Sequence, residues 1–382
     1  MDNKITVPVT SRFYQEAQKD LCENFHPRMK ELHDLLTLNT DLIRSEIEAK
    51  NWLNVFDGEM LDEPVLGVDA STVSPDYGEI STALAVGVVS STNEQTPPNY
   101  FYQSVFGTSS ETFSKVASYL RVAQELAALR YASASDCWVM YDGSFTSLNW
   151  DLCKFAASMP KSEEFVSSDS SFLEWELLQE CYKRCLASYD SDWFTVFGNS
   201  RGKGCDRIIA ISKQGVSKLY SKELKSLKGI ADNAFVPSDK LVLGLVLKED
   251  EYTTPRSYEA IFDKSHGSNV PGYGKPATGS RNLEKQHNLV ELTFKNMRVV
   301  NYKPWVWSPV MAIHYNKDAS KLEEVLGVVK AQTQTKSVLE PMPLYLADLL
   351  AKQAVSVVKL YGEINVGRYP NLFKAFRTSV RK

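Results

Sequence analysis

Histidine is scarce in this 382-residue chain, with five in all. His266 and His287 fall in a loop-like stretch and His314 ends a strand-like one, so they make no catalytic set. No serine or cysteine has a recognisable base partner, which argues against a hydrolase built on either nucleophile. The six cysteines (22, 137, 153, 181, 185 and 205) are scattered. Cys181 and Cys185 stand one helical turn apart, but no second pair or nearby histidine completes a zinc site. The expected state is reduced thiols in a cytoplasmic protein. No apolar run approaches the roughly 18 residues of a membrane span, so no membrane partner is expected. The opening Met1-Asp2-Asn3-Lys4 lacks the basic and apolar regions of a signal peptide. Net charge is slight, −4 at neutral pH, and does not advertise nucleic-acid binding. A cluster of metal-binding carboxylates would itself add negative charge, however, and phosphate contacts need only a local basic stripe. No internal repeat is visible.

What is present suits a large core: 43% of residues are hydrophobic and 24% are charged, enough for one big domain with appendages or for two smaller domains. Residues 10–52 read as helices interrupted at Pro27, with Phe13, Leu21, Leu36 and Ile43 near helical spacing. An N-terminal helical arm, residues 1–56, followed by a main domain, residues 57–382, is therefore expected. Strands are predicted at Val65–Asp69, Ser81–Ser90 and Tyr100–Phe106, then a helix over 110–133 and a strand at Cys137–Asp142. Residues 146–187 read as mainly helical and Arg207–Ser212 as a short buried strand. A helix over 238–247 and an irregular stretch over 264–287 come next. Strands over 289–300 and 305–315 and helices over 319–330 and 343–361 close the chain. Three strands, a helix, a strand, a helix, a strand and a late helix is the order of the RNase H-like fold, an α/β mixed sheet flanked by helices. Its first and fourth strands lie side by side.

Two of the predicted strands end in an acid followed by a small residue and a serine: Val65-Leu66-Gly67-Val68-Asp69-Ala70-Ser71 and Trp138-Val139-Met140-Tyr141-Asp142-Gly143-Ser144. Each carboxylate is expected where a rigid strand stops and solvent begins. Two such acids on neighbouring strands suit Mg²⁺ or Mn²⁺, which prefer hard oxygen ligands. Glu125 is a further candidate, because Val122, Ala128 and Leu129 surround it one helical turn away. A carboxylate on an apolar face needs a partner, and a metal ion is one. Asp348 is another, on a helix opened by the prolines of Pro341-Met342-Pro343. The bland alternative for both is a helix-surface or capping acid. Basic stripes are offered by Lys213, Lys218, Lys222, Lys225 and Lys228, by Lys264, Lys275, Arg281 and Lys285, and by Arg368, Lys374, Arg377, Arg381 and Lys382. Trp305 and Trp307 alternate with Tyr302 nearby, and could stack on unpaired bases or pack in the core.

Across roughly residues 60–355 the sequence resembles the NurA nucleases. The segment Gly67-Val68-Asp69-Ala70-Ser71 is similar to the family's first motif, and Tyr141-Asp142-Gly143-Ser144 to its second. Glu125 falls where the family has a glutamate on the intervening helix. Ile211-Ser212-Lys213, Ser238-Asp239-Lys240, Glu251-Tyr252-Thr253-Thr254-Pro255 and Glu340 to Ala347 resemble later segments. Two positions depart from the pattern: Asp348 where the family often has histidine, and Glu340 where it often has a glycine or an aromatic. The resemblance implies a Mn²⁺- or Mg²⁺-dependent DNA nuclease with two ions, cutting as a 5′→3′ exonuclease and a single-strand endonuclease. It implies Asp69, Glu125, Asp142 and Asp348 as metal ligands, with Lys213 beside the scissile phosphate. It also implies a homodimer docked on a hexameric HerA-type ATPase, in DNA end resection and repair or in antiphage defence. Two other readings stand beside it: a non-catalytic dimeric adaptor of the ATPase, and another RNase H-fold nuclease such as a resolvase.

Overall fold

The computed structural model describes residues 26–74, 80–93, 95–108, 111–145, 147–148, 195–198, 205–212, 218–228, 237–257 and 293–367, with Glu16, Lys19, Cys22, Glu23 and Asp192. Lys213, most of the expected helices over 146–187, the 264–287 stretch and the basic residues from Arg368 onward lie outside them. The chain divides into two compact units, Met1–Leu53 with Val216–Leu247, and Asn54–Gly215 with Lys248–Lys382.

In chain order the helices are α1 (His26–Leu38), α2 (Thr40–Ala49), α3 (Glu111–Ser133), α4 (Asp239–Val246), α5 (Leu322–Gln332) and α6 (Met342–Gly367). The strands are β1 (Leu53–Val55), β2 (Val65–Val73), β3 (Ile80–Ser91), β4 (Asn99–Thr108), β5 (Trp138–Asp142) and β6 (Ile208–Ser212). They continue with β7 (Glu251–Thr253), β8 (Arg256–Ser257), β9 (Met297–Tyr302) and β10 (Met311–Asn316).

The smaller unit joins α1 and α2 to α4 and the short helical turns at Ser221–Glu223 and Lys225–Lys228. Two carboxylates, a buried one on Asp239 and a half-buried one on Glu46, tie it together through otherwise orphaned backbone donors. Asp239 accepts from the backbone N–H groups of Leu219, Tyr220 and Ser221 at 2.6, 2.9 and 2.8 Å. Glu46 of α2 accepts from those of Lys225 and Ser226 at 2.8 and 2.9 Å. The Ser238 hydroxyl caps α4 by accepting from the Leu241 N–H.

The larger unit is built on a ten-stranded mixed sheet in the order β1-β7-β9-β10-β6-β5-β2-β3-β4, with β8 paired to β9. β2, β5 and β6 are parallel neighbours at its centre, and β2-β3-β4 and β6-β10-β9 are antiparallel. Successive side chains on a strand point to opposite faces, and the two faces are covered differently. Val68, Val139 and Tyr141 pack under α3 with Leu120, Leu126 and Leu129. Val65, Trp138 and Met140 pack on the other face with Val325 of α5 and Leu344 of α6.

Three boundaries depart from the sequence reading. β2 does not stop at Asp69 but runs on to Val73, because β3 pairs with it from Leu66 to Val73 after β5 has ended. Residues 293–296 form a helical turn before β9 starts at Met297, and residues 305–308 form a turn rather than a strand, so β10 starts at Met311. Pro304 and Pro309 flank that turn and lack the N–H that a strand ladder needs.

Candidate functional site

Adjacent parallel strands bring the two expected acids together. Val65 to Val68 pair in register with Trp138 to Tyr141. The next step along both strands is Asp69 beside Asp142, on neighbouring strands roughly 5 Å apart. Both continue the alternation of Val65, Trp138 and Met140, and so both take the face covered by α6. Asp69 lies inside β2 and is 8% exposed. Its Oδ1 accepts from the Ala70 N–H at 2.7 Å. Asp142 ends β5 and is half-buried.

Two glycines let the helices approach this pair. A Cβ on Gly67 would meet the carbonyl oxygen of Pro343 at 1.9 Å, so the start of α6 sits directly on β2. The Ser90 hydroxyl donates to the same carbonyl at 3.1 Å. A Cβ on Gly87 of β3 would meet the Gln124 carbonyl at 2.3 Å, which brings α3 equally close from the other side. From Leu344, which packs beside Val65 and Met140, α6 crosses to Ala351, which packs on Val86 and Val88 of β3. Asp348 lies between, about one turn from each. Its Oδ2 accepts from Lys352 Nζ at 2.7 Å, with its side chain 26% exposed.

Glu125 comes from the opposite face. It is 1% exposed, forms a short ion pair with Arg121 one helical turn earlier, and accepts from the Tyr141 hydroxyl at 3.0 Å. Burial pushes the Tyr141 phenol well above its usual range, and the charges of Glu125 and Asp69 push the same way against Arg121. Tyr141 therefore stays protonated as a donor, with Asp69 within electrostatic reach. Arg121 and Tyr141 are the site residues the sequence reading missed. The signals were there: an arginine four residues before a buried glutamate, and a tyrosine whose strand position turns it to the face opposite Asp142.

The acids are thus split, with Asp69, Asp142 and Asp348 on the α6 side and Glu125 on the α3 side. Among the described residues, no three His, Cys, Asp or Glu side chains converge closely enough to enclose a cation as placed. The donor set still fits a hard divalent ion in kind, being made of carboxylate oxygens on adjoining elements. Lys213 lies outside the described residues.

The fold has counterparts among solved structures. A NurA structure with manganese has a TM-score of 0.51 at 12% identity, over 86% of this chain and 93% of that one. A NurA structure bound to dAMP and manganese has a TM-score of 0.50 at 10% identity, over 84% and 92%. The chain has the NurA fold. The NurA nuclease from Sulfolobus solfataricus is 14% identical over 91% of this chain and 96% of its own, at a TM-score of 0.49. No protein-family model matches the chain, and no curated protein matches it in sequence. At these identities the likeness to NurA speaks for the fold, and the chemistry has to be argued from residues. Among the described residues no helix is long and apolar enough to cross a membrane.

Proposed function

We propose that the chain is a divalent-metal-dependent deoxyribonuclease. The observation that carries this reading is the register of Asp69 and Asp142 on adjacent parallel strands of the NurA fold. Asp69 and Asp142 would hold the cation, with Glu125 and Asp348 completing the set. A bound pair of Mn²⁺ or Mg²⁺ ions supplies an activated water and charge relief at the leaving oxygen of a phosphodiester. Tyr141 orients Glu125 by donating to it, and Arg121 compensates its buried charge. Lys213 would add a point positive charge beside the scissile phosphate. The resemblance in motifs extends the proposal to 5′→3′ exonuclease and single-strand endonuclease activity in DNA end processing. It extends also to a homodimer working with a HerA-type hexameric ATPase, with residues 1–56 as an arm for assembly on a 57–382 nuclease domain.

The test is cleavage of end-labelled single-stranded DNA by the full chain with Mn²⁺. Wild type should cut, and Asp69→Ala and Asp142→Ala should not, while melting as wild type does. Absence of cutting by the wild-type chain, or full activity in either variant, overturns the site. One observation favours a second reading, a non-catalytic platform for the ATPase. Glu125 and Asp348 are each neutralised by a neighbouring cation of the chain itself. A folded, ATPase-binding chain that leaves DNA intact in Mn²⁺ would select it.

A further inference from the structure

The turn between β9 and β10 leaves the sheet at the same end as the candidate acids. Tyr302 pairs with Met311, Ala312 pairs with Ser212, and Ile211 pairs with Asp142. From β5, which ends in Asp142, β6 and then β10 follow in the sheet. The turn therefore leaves β9 three strand spacings from Asp142 and rejoins the sheet in β10 two spacings from it, roughly 10–15 Å away. It is also on the same face. Trp305 lies over Lys330 of α5, and α5 packs with α6 against the side of the sheet that carries Asp69 and Asp142.

This turn is rigid and aromatic. The rings of Trp305 and Trp307 are parallel to within 7°, with centroids 6.3 Å apart. Both are partly exposed, and Val306 between them is 71% exposed. The contrast is Trp138, which the core buries to 3%. The Ser308 hydroxyl accepts from the Trp305 N–H at 3.1 Å and donates to the Trp305 carbonyl at 2.9 Å, locking the turn shut. Lys330 Nζ sits 4.9 Å from the Trp305 ring centroid, and both Asp250 carboxylate oxygens hold it there at 2.6 Å. A cation fixed under one tryptophan supports a second ring that is parallel to it. Partly exposed indoles held this way have lost their conformational entropy in advance, which favours a flat ligand.

We infer that the Trp305–Trp307 turn is a stacking platform for unpaired bases of the DNA strand whose phosphate lies at the acids. This rests on the nuclease reading above. Stacking needs only a π face, so the platform would be indifferent to sequence. It would hold the strand about two to three strand spacings from Asp142, on the side of α5.

The experiment measures binding of fluorescein-labelled oligo-thymidylate to the full chain by anisotropy, in EDTA so that cleavage does not intervene. Loss of one base stack should weaken binding roughly 5- to 150-fold in Trp307→Ala. Trp307→Phe, which keeps a ring, should stay within a few-fold of wild type. Binding to a duplex should change little in either variant, because its bases are already stacked. Quenching of tryptophan emission by the oligonucleotide should shrink in Trp307→Phe, a readout that does not depend on Trp307→Ala folding. Equal affinity of folded Trp307→Ala and wild type, an equal loss on duplex, or no binding by wild type overturns the platform. Tighter binding of oligo-uridylate than of oligo-thymidylate overturns its assignment to DNA. A Trp307-dependent grip on single strands without cleavage in Mn²⁺ sinks the nuclease reading and leaves the platform standing. Cleavage with binding that ignores Trp307 does the reverse.

Discussion

Arg121→Met isolates the ion pair that occupies Glu125, because methionine keeps the apolar stem and removes only the guanidinium. Glu125 is 1% exposed, and removing one partner of a fully buried pair costs about 3–5 kcal/mol. The Arg121 side chain is 39% exposed, so solvent already screens part of the interaction. We therefore expect a loss of about 2–3 kcal/mol. At about 2–3 °C per kcal/mol for a unit of this size, the melting temperature in EDTA should fall by about 4–9 °C. A metal ion at Glu125 would stand in for the missing charge, and binding only to the folded state returns about 2.7 kcal/mol at 100 times Kd. Mn²⁺ should therefore raise the melting temperature of Arg121→Met more than that of wild type. Adding Glu125→Gln should restore much of the lost stability in EDTA, since no unpaired charge is left buried. Scanning calorimetry of the three proteins, with and without Mn²⁺, reads all of this. An Arg121→Met protein that melts with wild type in EDTA shows that the pair carries no burden. One that melts lower but gains nothing extra from Mn²⁺ shows that Glu125 is not a ligand.

Asp348→Asn should cost under about 1 kcal/mol in EDTA, because the Lys352 pair is largely exposed, yet reduce both cleavage and the Mn²⁺-induced rise in melting temperature. Asp348→His should keep part of the activity; unchanged cleavage and Mn²⁺ response in Asp348→Asn would make it a surface acid. Gly67→Ala should destabilise by about 1–3 kcal/mol or more, since its Cβ would overlap the Pro343 backbone, and urea unfolding at wild-type stability would contradict the close approach of α6. His314 is buried against Phe145, and burial pushes its imidazole down to about 3. Between that value and the unfolded value near 6.5 the unfolded chain binds a proton that the folded chain refuses, so stability present above pH 6.5 is lost as pH falls toward 3. At pH 5 this amounts to about 2 kcal/mol, and His314→Gln should flatten the loss between pH 7 and pH 5 in denaturant melts; an equal slope in both proteins would refute the assignment.

The sheet was legible because its central strands are short apolar runs closed by small polar residues, and β5 does end at Asp142 as that pattern says. The same pattern misjudged Asp69. Whether β2 stops there depends on how far β3 keeps pairing with it, and that is a property of a partner strand rather than of the local sequence. Trp305 and Trp307 alternate like strand residues, but Pro304, Ser308 and Pro309 decide the backbone, so the pair sits at an apex. The union of residues 216–247 with α1 and α2 was hidden for another reason. Its contacts run from Glu46 to Lys225 and Ser226, across some 180 positions of chain, with nothing periodic to mark them.

Glu125 was legible as an acid on an apolar helix face, while its two holders were not. A glutamate four residues after an arginine is usually a solvated pair worth a few tenths of a kcal/mol. Here the close approach of α3 to Gly87 puts the carboxylate out of solvent, and the pair becomes a buried charge that needs compensation. The sequence could place four acids on neighbouring elements, but not the two basic side chains that currently neutralise two of them. Convergence of Asp69, Asp142, Glu125 and Asp348 on a pair of ions would require Arg121 and Lys352 to yield their carboxylates and Glu125 to reach past the sheet from the α3 side. The exchange should be easier at Asp348, whose partner is 65% exposed, than at Glu125, whose carboxylate has no water to fall back on. Arg121 is thus the residue on which the occupancy of a fourth ligand turns, and its removal separates a working metal centre from a fold that has kept only the outline of one.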